Sequence, residues 1–176
     1  MIKELRTERL ILKKLHVSDS PSIFKIWSDP EVTKFMNIDN FNEEEQAVEM
    51  IKLLDKLSQE NKAIRYSIYH IESNQIIGSC GYNSLDFENL KAEIGYEISK
   101  EYWRNGFASE VILKLLDYAY NTLHFHRIEA KVEPANINSI RLLEKLNFQF
   151  EGTLRKAERS KDTFIDLNLY SKLTSD

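Results

Sequence analysis

Tyr102-Trp103-Arg104-Asn105-Gly106-Phe107-Ala108-Ser109-Glu110 is the stretch from which the fold is read, because extended chain gives way there to helix around one glycine. Upstream, Lys91 to Ser99 reads as a strand; downstream, Ala108, Val111, Ile112, Leu115, Leu116 and Ala119 recur at helical spacing. A helix that opens directly after a strand presents unpaired amides and the positive end of its dipole, which together can receive an anion such as phosphate. Gly106 lets the backbone approach closely, small Ala108 keeps the first turn open, and Arg104 adds a positive charge. Taken alone, a glycine before a helix is more often a plain turn, so the rest of the chain has to decide.

After the helix comes the strand Arg127 to Glu133, completing a strand, loop, helix and strand unit. The theme repeats with a helix from about Ser139 to Leu146, a strand from Phe148 to Leu154 and a last strand around Phe164 to Tyr170. Asn147 stands where that helix must stop, at a position suited to the left-handed conformation. Upstream, Ala63 to Ile71 and Gln75 to Tyr82 form a hairpin across Glu72-Ser73-Asn74. Before the hairpin, a first strand from Glu8 to Leu15 precedes three helices. Ser18-Asp19-Ser20-Pro21 opens one, Asp29-Pro30-Glu31 caps the second, and Asn42-Glu43-Glu44-Glu45 starts the third, with Val48, Ile51, Leu54 and Leu57 on its apolar face. No repeat or linker interrupts this order, which predicts one α+β domain over 1–176.

The 176 residues carry 42% hydrophobic side chains, enough for one sizeable core. A formal charge of −4 without a basic block argues against nucleic acid as a partner. Apolar runs such as Val111 to Leu116 are too short for a bilayer, and Met1-Ile2-Lys3-Glu4 lacks the apolar core of a secretory signal, so no membrane partner and a cytoplasmic location are expected. Cys80 is single, excluding an intrachain disulfide and a thiolate cluster, and reads as a small buried residue on a strand. His124 and His126 could share a strand face, but with no third ligand in view no metal is expected.

In this setting the loop resembles the acyl-CoA pyrophosphate loop of the GNAT acetyltransferases: Gln or Arg, two residues, Gly, one residue, then Gly or Ala. Gly106 and Ala108 fit, whereas Trp103 departs from the general pattern. The chain is similar to the branch that acetylates N-terminal amines of ribosomal proteins, which often has tryptophan there. The likeness extends to Glu93-Ile94-Gly95-Tyr96-Glu97-Ile98, Asn136-Ile137-Asn138-Ser139, Leu142 to Phe148 and Glu151-Gly152. Upstream it includes Thr7-Glu8-Arg9-Leu10 and Trp27 to Val32. Several separated motifs in order are more specific than any one.

The resemblance implies a mixed, mostly antiparallel sheet of about seven strands with a splayed parallel pair, near Glu93 to Ser99 and Arg127 to Glu133, and about four to five helices. Acetyl-CoA is then the co-substrate, its pantetheine pairing with backbone near Ile98 and its phosphates held around Arg104, Asn105, Gly106, Phe107 and Ala108, with Asn136 nearby. Ser139 is implied as proton donor to the leaving sulfur and Glu158 as base toward the amine, with Glu93 a second candidate base and Glu97 a weaker one on the same strand face. An α-amine has a pKa of about 7.7 to 8.0 against about 10.4 for lysine, which favours a protein N-terminus as acceptor. Trp27, Phe35, Met36, Tyr82 and Tyr96 are candidate linings of the acceptor cleft. A small amine such as a polyamine, aminoglycoside or amino acid is the rival acceptor, a non-catalytic acyl-CoA-binding module the rival class, and a homo-oligomer is left open.

Overall fold

The computed structural model describes residues 4–176, so three of the residues considered for a secretory signal, Met1 to Lys3, lie outside it. Its strands are β1 (Glu4–Arg6), β2 (Leu10–Lys14), β3 (Ile64–His70), β4 (Gln75–Asp86), β5 (Lys91–Ile98), β6 (Arg127–Val132), β7 (Gln149–Ser160) and β8 (Thr163–Leu173). The helices are α1 (Ser20–Trp27), α2 (Pro30–Thr33), α3 (Glu44–Gln59), α4 (Phe107–Asn121) and α5 (Ile137–Lys145). Among the described residues the sheet therefore has eight strands rather than about seven, the short β1 being the addition, and there are five helices.

The strands lie in the order β1, β2, β3, β4, β5, β6, β8, β7, and each neighbouring pair is antiparallel except β5 with β6. Adjacent residues on a strand face opposite sides of the sheet, and Ile77 and Ile76 of β4 illustrate it. Ile77 joins the larger core with Val111, Ile112, Leu115 and Ala119 of α4, while Ile76 packs against Ile23, Trp27, Ala47 and Ile51 of α1 and α3. Helices thus cover both faces. Cys80 is fully buried on β4, as its sequence context suggested.

One sheet feature governs the rest. β5 and β6 are in register only over Lys91 to Glu93 against Arg127 to Glu129. Beyond that point β5 keeps β4 as its partner as far as Ile98, and β6 keeps β8 as far as Val132, so the two strands part as a fork. Ion pairs mark the closed end: Lys91 with Glu129 at 2.7 Å and Lys131 with Glu93 at 3.4 Å.

Three local readings need correction. β7 runs to Ser160, not Leu154, because a bulge between Leu154 and Glu158 absorbs Arg155 to Ala157 and pairing then resumes, so Glu158 sits on a strand instead of in a loop. His124 lies in the turn after α4 with φ 58°, and His126 also precedes β6, so the two share no strand face. Tyr82 belongs to the core, its hydroxyl donating to the Leu115 carbonyl at 2.6 Å. Asn147 does adopt the left-handed conformation, with φ 64°.

Candidate active site

The loop between β5 and α4 is built to leave donors open. Gly106 is the N-cap residue of α4 with φ 77°, in the left-handed region, and no side chain caps the helix. Among the described residues, the backbone N–H groups from Arg104 to Ser109 have no hydrogen-bond partner. A Cβ at Gly106 would meet only Arg9 Nη2, at 3.5 Å, so the space beside Gly106 itself is open. Arg104 is exposed with φ 63°, so two left-handed residues, Arg104 and Gly106, lie in this turn, and successive backbone N–H groups in turns that include left-handed residues can bind anions.

The other residues expected in this loop have different tasks. Asn105 folds back, its Nδ2 donating to the carbonyls of Tyr102 at 3.1 Å and Trp103 at 2.9 Å. Phe107 points inward and is 5% exposed, leaving only its backbone for a ligand. Arg9 was noticed in the sequence only as part of a motif, yet it braces the loop. Its guanidinium donates to the Asn105 carbonyl at 2.9 Å, pairs with Glu110 at 2.9 Å, and lies 4.3 Å from the centre of the Phe107 ring. Burial opposes ionisation of Glu110, but hydrogen bonds from Thr7 and Arg9 outweigh it and hold the carboxyl below its usual value.

At the fork, Ser99 N–H bonds to the Ile77 carbonyl at 2.7 Å, so by the alternation of an antiparallel ladder the amides of Tyr96 and Ile98 face the opening, away from β4. The Ile98 carbonyl is already taken: Trp103 Nε1 donates to it at 2.7 Å. This explains the tryptophan that departs from the general loop pattern, for its indole closes the rim of the fork. Its N–H is what the sequence could not assign to a partner.

On the far side of the fork lies a cavity of about 300 Å³. Trp27, Phe35, Met36, Met50 and Leu54 give it an apolar wall, and Glu93, Tyr96, Glu97, Asn136, Ser139 and Glu158 supply polar groups. All three proposed catalytic residues, from β5, α5 and β7, therefore meet in one space. Asn136 caps α5 through a bond from Ser139 N–H to its Oδ1 at 3.3 Å, so the serine is not the cap and its hydroxyl is left for the cavity. Ser139 Oγ lies 2.7 Å from the Tyr96 hydroxyl. Burial pushes the Tyr96 phenol above its ordinary value.

The carboxylates differ sharply. Glu97 is 6% exposed, and receives Trp27 Nε1 at 2.8 Å together with hydrogen bonds from Ser79 and Arg65. Arg65 in turn reaches Ser79 at 2.9 Å and Asn83 at 3.1 Å, making a closed polar floor. Gly95 makes room for it, since a Cβ there would lie 2.5 Å from the Asn83 amide. Glu93 faces Lys131. Glu158 accepts a hydrogen bond from Asn37 and has no cationic partner among the described residues.

Residues 9–149 match the family model described as "Acetyltransferase (GNAT) domain". The chain belongs to the GNAT acetyltransferases. This GNAT chain is 48% identical over 172 residues, 98% of it and 97% of the relative, to the "Uncharacterized N-acetyltransferase p20" of Bacillus licheniformis. The "Ribosomal-protein-serine acetyltransferase" of Escherichia coli is more distant, 26% identical over 102 residues that cover 58% of this chain and 57% of that one. The solved "Microcin C7 self immunity acetyltransferase MccE in complex with Acetyl-CoA and AMP" shares the fold with a TM-score of 0.85 at 24% identity, covering 95% of this GNAT chain and 93% of its own. These matches make the protein an acyltransferase of the N-acetyltransferase class.

Proposed function

We propose that this chain transfers an acetyl group from acetyl-CoA to a primary amine, and that the acceptor is the N-terminal α-amine of a protein, a ribosomal protein being the first candidate. The observation that carries the reading is the fork itself, which opens toward the uncapped start of α4 on one side and the cavity holding Ser139 and Glu158 on the other. The unpaired amides from Arg104 to Ser109 suit a pyrophosphate, and the Tyr96 and Ile98 edge suits the amides of an extended pantetheine. Bound acetyl-CoA supplies an activated acyl group and a thiolate leaving group.

In this reading Ser139 gives a hydrogen bond to the sulfur, which suffices because a thiol with a pKa of about 8.5 is a tolerable leaving group. Glu158 takes the amine proton. It suits the task better than its neighbours, because Glu97 has its oxygens filled by three donors and Glu93 is paired with Lys131. Lys161 does not pair with Glu158: its ammonium donates to the carbonyls of Thr33 at 2.8 Å and Lys34 at 3.0 Å. The apolar wall would pack against the carbon skeleton of the acceptor. We assign the reaction to the cytoplasm, where such acceptors are made.

A small amine is the second reading, and the roof of the cavity favours it. Lys161 on Thr33 and Lys34, with Asn37 on Glu158, ties the segment after α2 to the β7–β8 hairpin and bounds the acceptor space. The deciding experiment measures CoA release from acetyl-CoA with peptides copying ribosomal-protein N-termini and, separately, with polyamines, aminoglycosides and amino acids. Turnover on peptides alone supports the first reading, and turnover on amines alone replaces it with the second. CoA binding with neither would make the chain an acyl-CoA-binding module.

A further inference from the structure

Tyr96 projects from β5 after its pairing with β6 has ended, and Ser139 is the third residue of α5, the helix that follows β6. Their 2.7 Å hydroxyl contact therefore bridges the two arms of the fork at the point where the donor channel meets the acceptor cavity. We propose that Tyr96 is a positioning residue, whose phenol donates to Ser139 Oγ and so turns the serine's own O–H toward the thioester sulfur. This inference rests on the reading that Ser139 serves the sulfur.

Direction follows from chemistry. A serine hydroxyl has one proton and two lone pairs, so it can aim its proton at sulfur only if nothing else in the site accepts that proton. Ser139 Oγ has no described hydrogen-bond partner except Tyr96. A phenol, with a pKa of about 10, is a far stronger acid than an aliphatic alcohol and is the natural donor of the two. Asn136 holds the serine's backbone through its N–H, which fixes where the side chain starts. Burial of Tyr96 disfavours its phenolate, so it keeps its proton throughout and acts only by orienting Ser139. The balance is then complete: the new carbon–nitrogen bond forms as the carbon–sulfur bond breaks, the electron pair goes to sulfur, and Glu158 takes the amine proton. The thiolate, held by Ser139, acquires its proton from solvent on release.

The test needs no acceptor. Free CoA is bound to the protein and its thiol titrated by thiolate absorbance in the wild type, Tyr96→Phe, Ser139→Ala and the double variant. A hydrogen bond of ordinary strength should make the bound thiol three- to tenfold more acidic than in either single variant, roughly half to one pH unit. The double variant should lose no more than Ser139→Ala alone, because Tyr96 acts only through the serine. With a working acceptor, kcat should fall by the same factor in Tyr96→Phe while the KM for acetyl-CoA holds. A thiol unmoved by Tyr96→Phe but moved by Ser139→Ala would overturn the role of Tyr96 and leave that of Ser139 standing. A thiol unmoved by Ser139→Ala would overturn both, and additive shifts would show Tyr96 acting on sulfur directly, against the positioning role.

Discussion

Between Arg104 and Ser109 a run of backbone amides has no partner among the described residues, whereas at the floor of the cavity Glu97 receives three donors and one of them, Arg65, also reaches Ser79 and Asn83. Both regions serve the same fork, yet one is left open and the other is closed before any substrate arrives. Exposed amides at a helix start cost little while water solvates them, and they bind an anion when one comes. A carboxylate and a guanidinium taken out of water must be satisfied within the fold, because either alone would be far more expensive. In the proposed reading, recognition on the donor side would fall to backbone, and on the acceptor side to the few side chains not consumed by the floor, Ser139 and Glu158 among them.

The comparison breaks most visibly at Glu97. Glu97→Ala leaves Arg65 buried without its anion and should cost about 3–5 kcal/mol of stability, which thermal unfolding would register as a fall of about 10 °C in Tm. A change under about 1 kcal/mol would mean the floor is not a closed network. On the open side, Gly106→Trp puts bulk and an unfavourable left-handed residue in front of the amides. Calorimetry should show acetyl-CoA binding weakened on the order of a hundredfold, with the circular dichroism of the fold retained.

Smaller effects sharpen the same contrast. Ser139→Ala should lower kcat roughly ten- to a hundredfold while the acetyl-CoA dissociation constant stays within about twofold. Glu158→Gln should also lower kcat, by about tenfold or more, again without loss of acetyl-CoA affinity; equal activity would remove Glu158 as the base. The least effect concerns Glu110. Its folded pKa lies below the ordinary glutamate value, so the brace from Thr7 and Arg9 is fully present above that value and weakens as pH falls through the lower folded one. The Arg9 amide, which donates to Glu110 Oε2 at 3.1 Å, should lose protection relative to its intrinsic exchange rate over that acidic window in the wild type and show no such dependence in Glu110→Gln.

What the sequence revealed was local. The strand, glycine and helix from Lys91 to Asn121 could be read because each signal lies within a few residues of the next, and the same holds for the stop at Asn147. Ser139, Glu93 and Glu158 were picked out by resemblance, and the fold brings all three to one cavity. What stayed hidden depends on partners far along the chain: Arg9 against Asn105 and Glu110, Trp27 against Glu97, and Lys161 against Thr33. No spacing rule connects residues so far apart. Glu158 was read as lying beyond its strand because a bulge interrupts the alternation that would have carried the strand through it.

The fork also bears on how the protein avoids its own kind. An unpaired strand edge invites another chain to add to it, and natural sheets commonly shield such edges with charge, twist or a covering element. Here the open stretch of β5 faces inward across a gap walled by β6 instead of outward at the rim of the sheet. The edge thus lies where edge-to-edge pairing with a second sheet cannot form as it could at the rim, a safeguard that comes from topology and is completed by the Trp103 indole at the mouth of the fork.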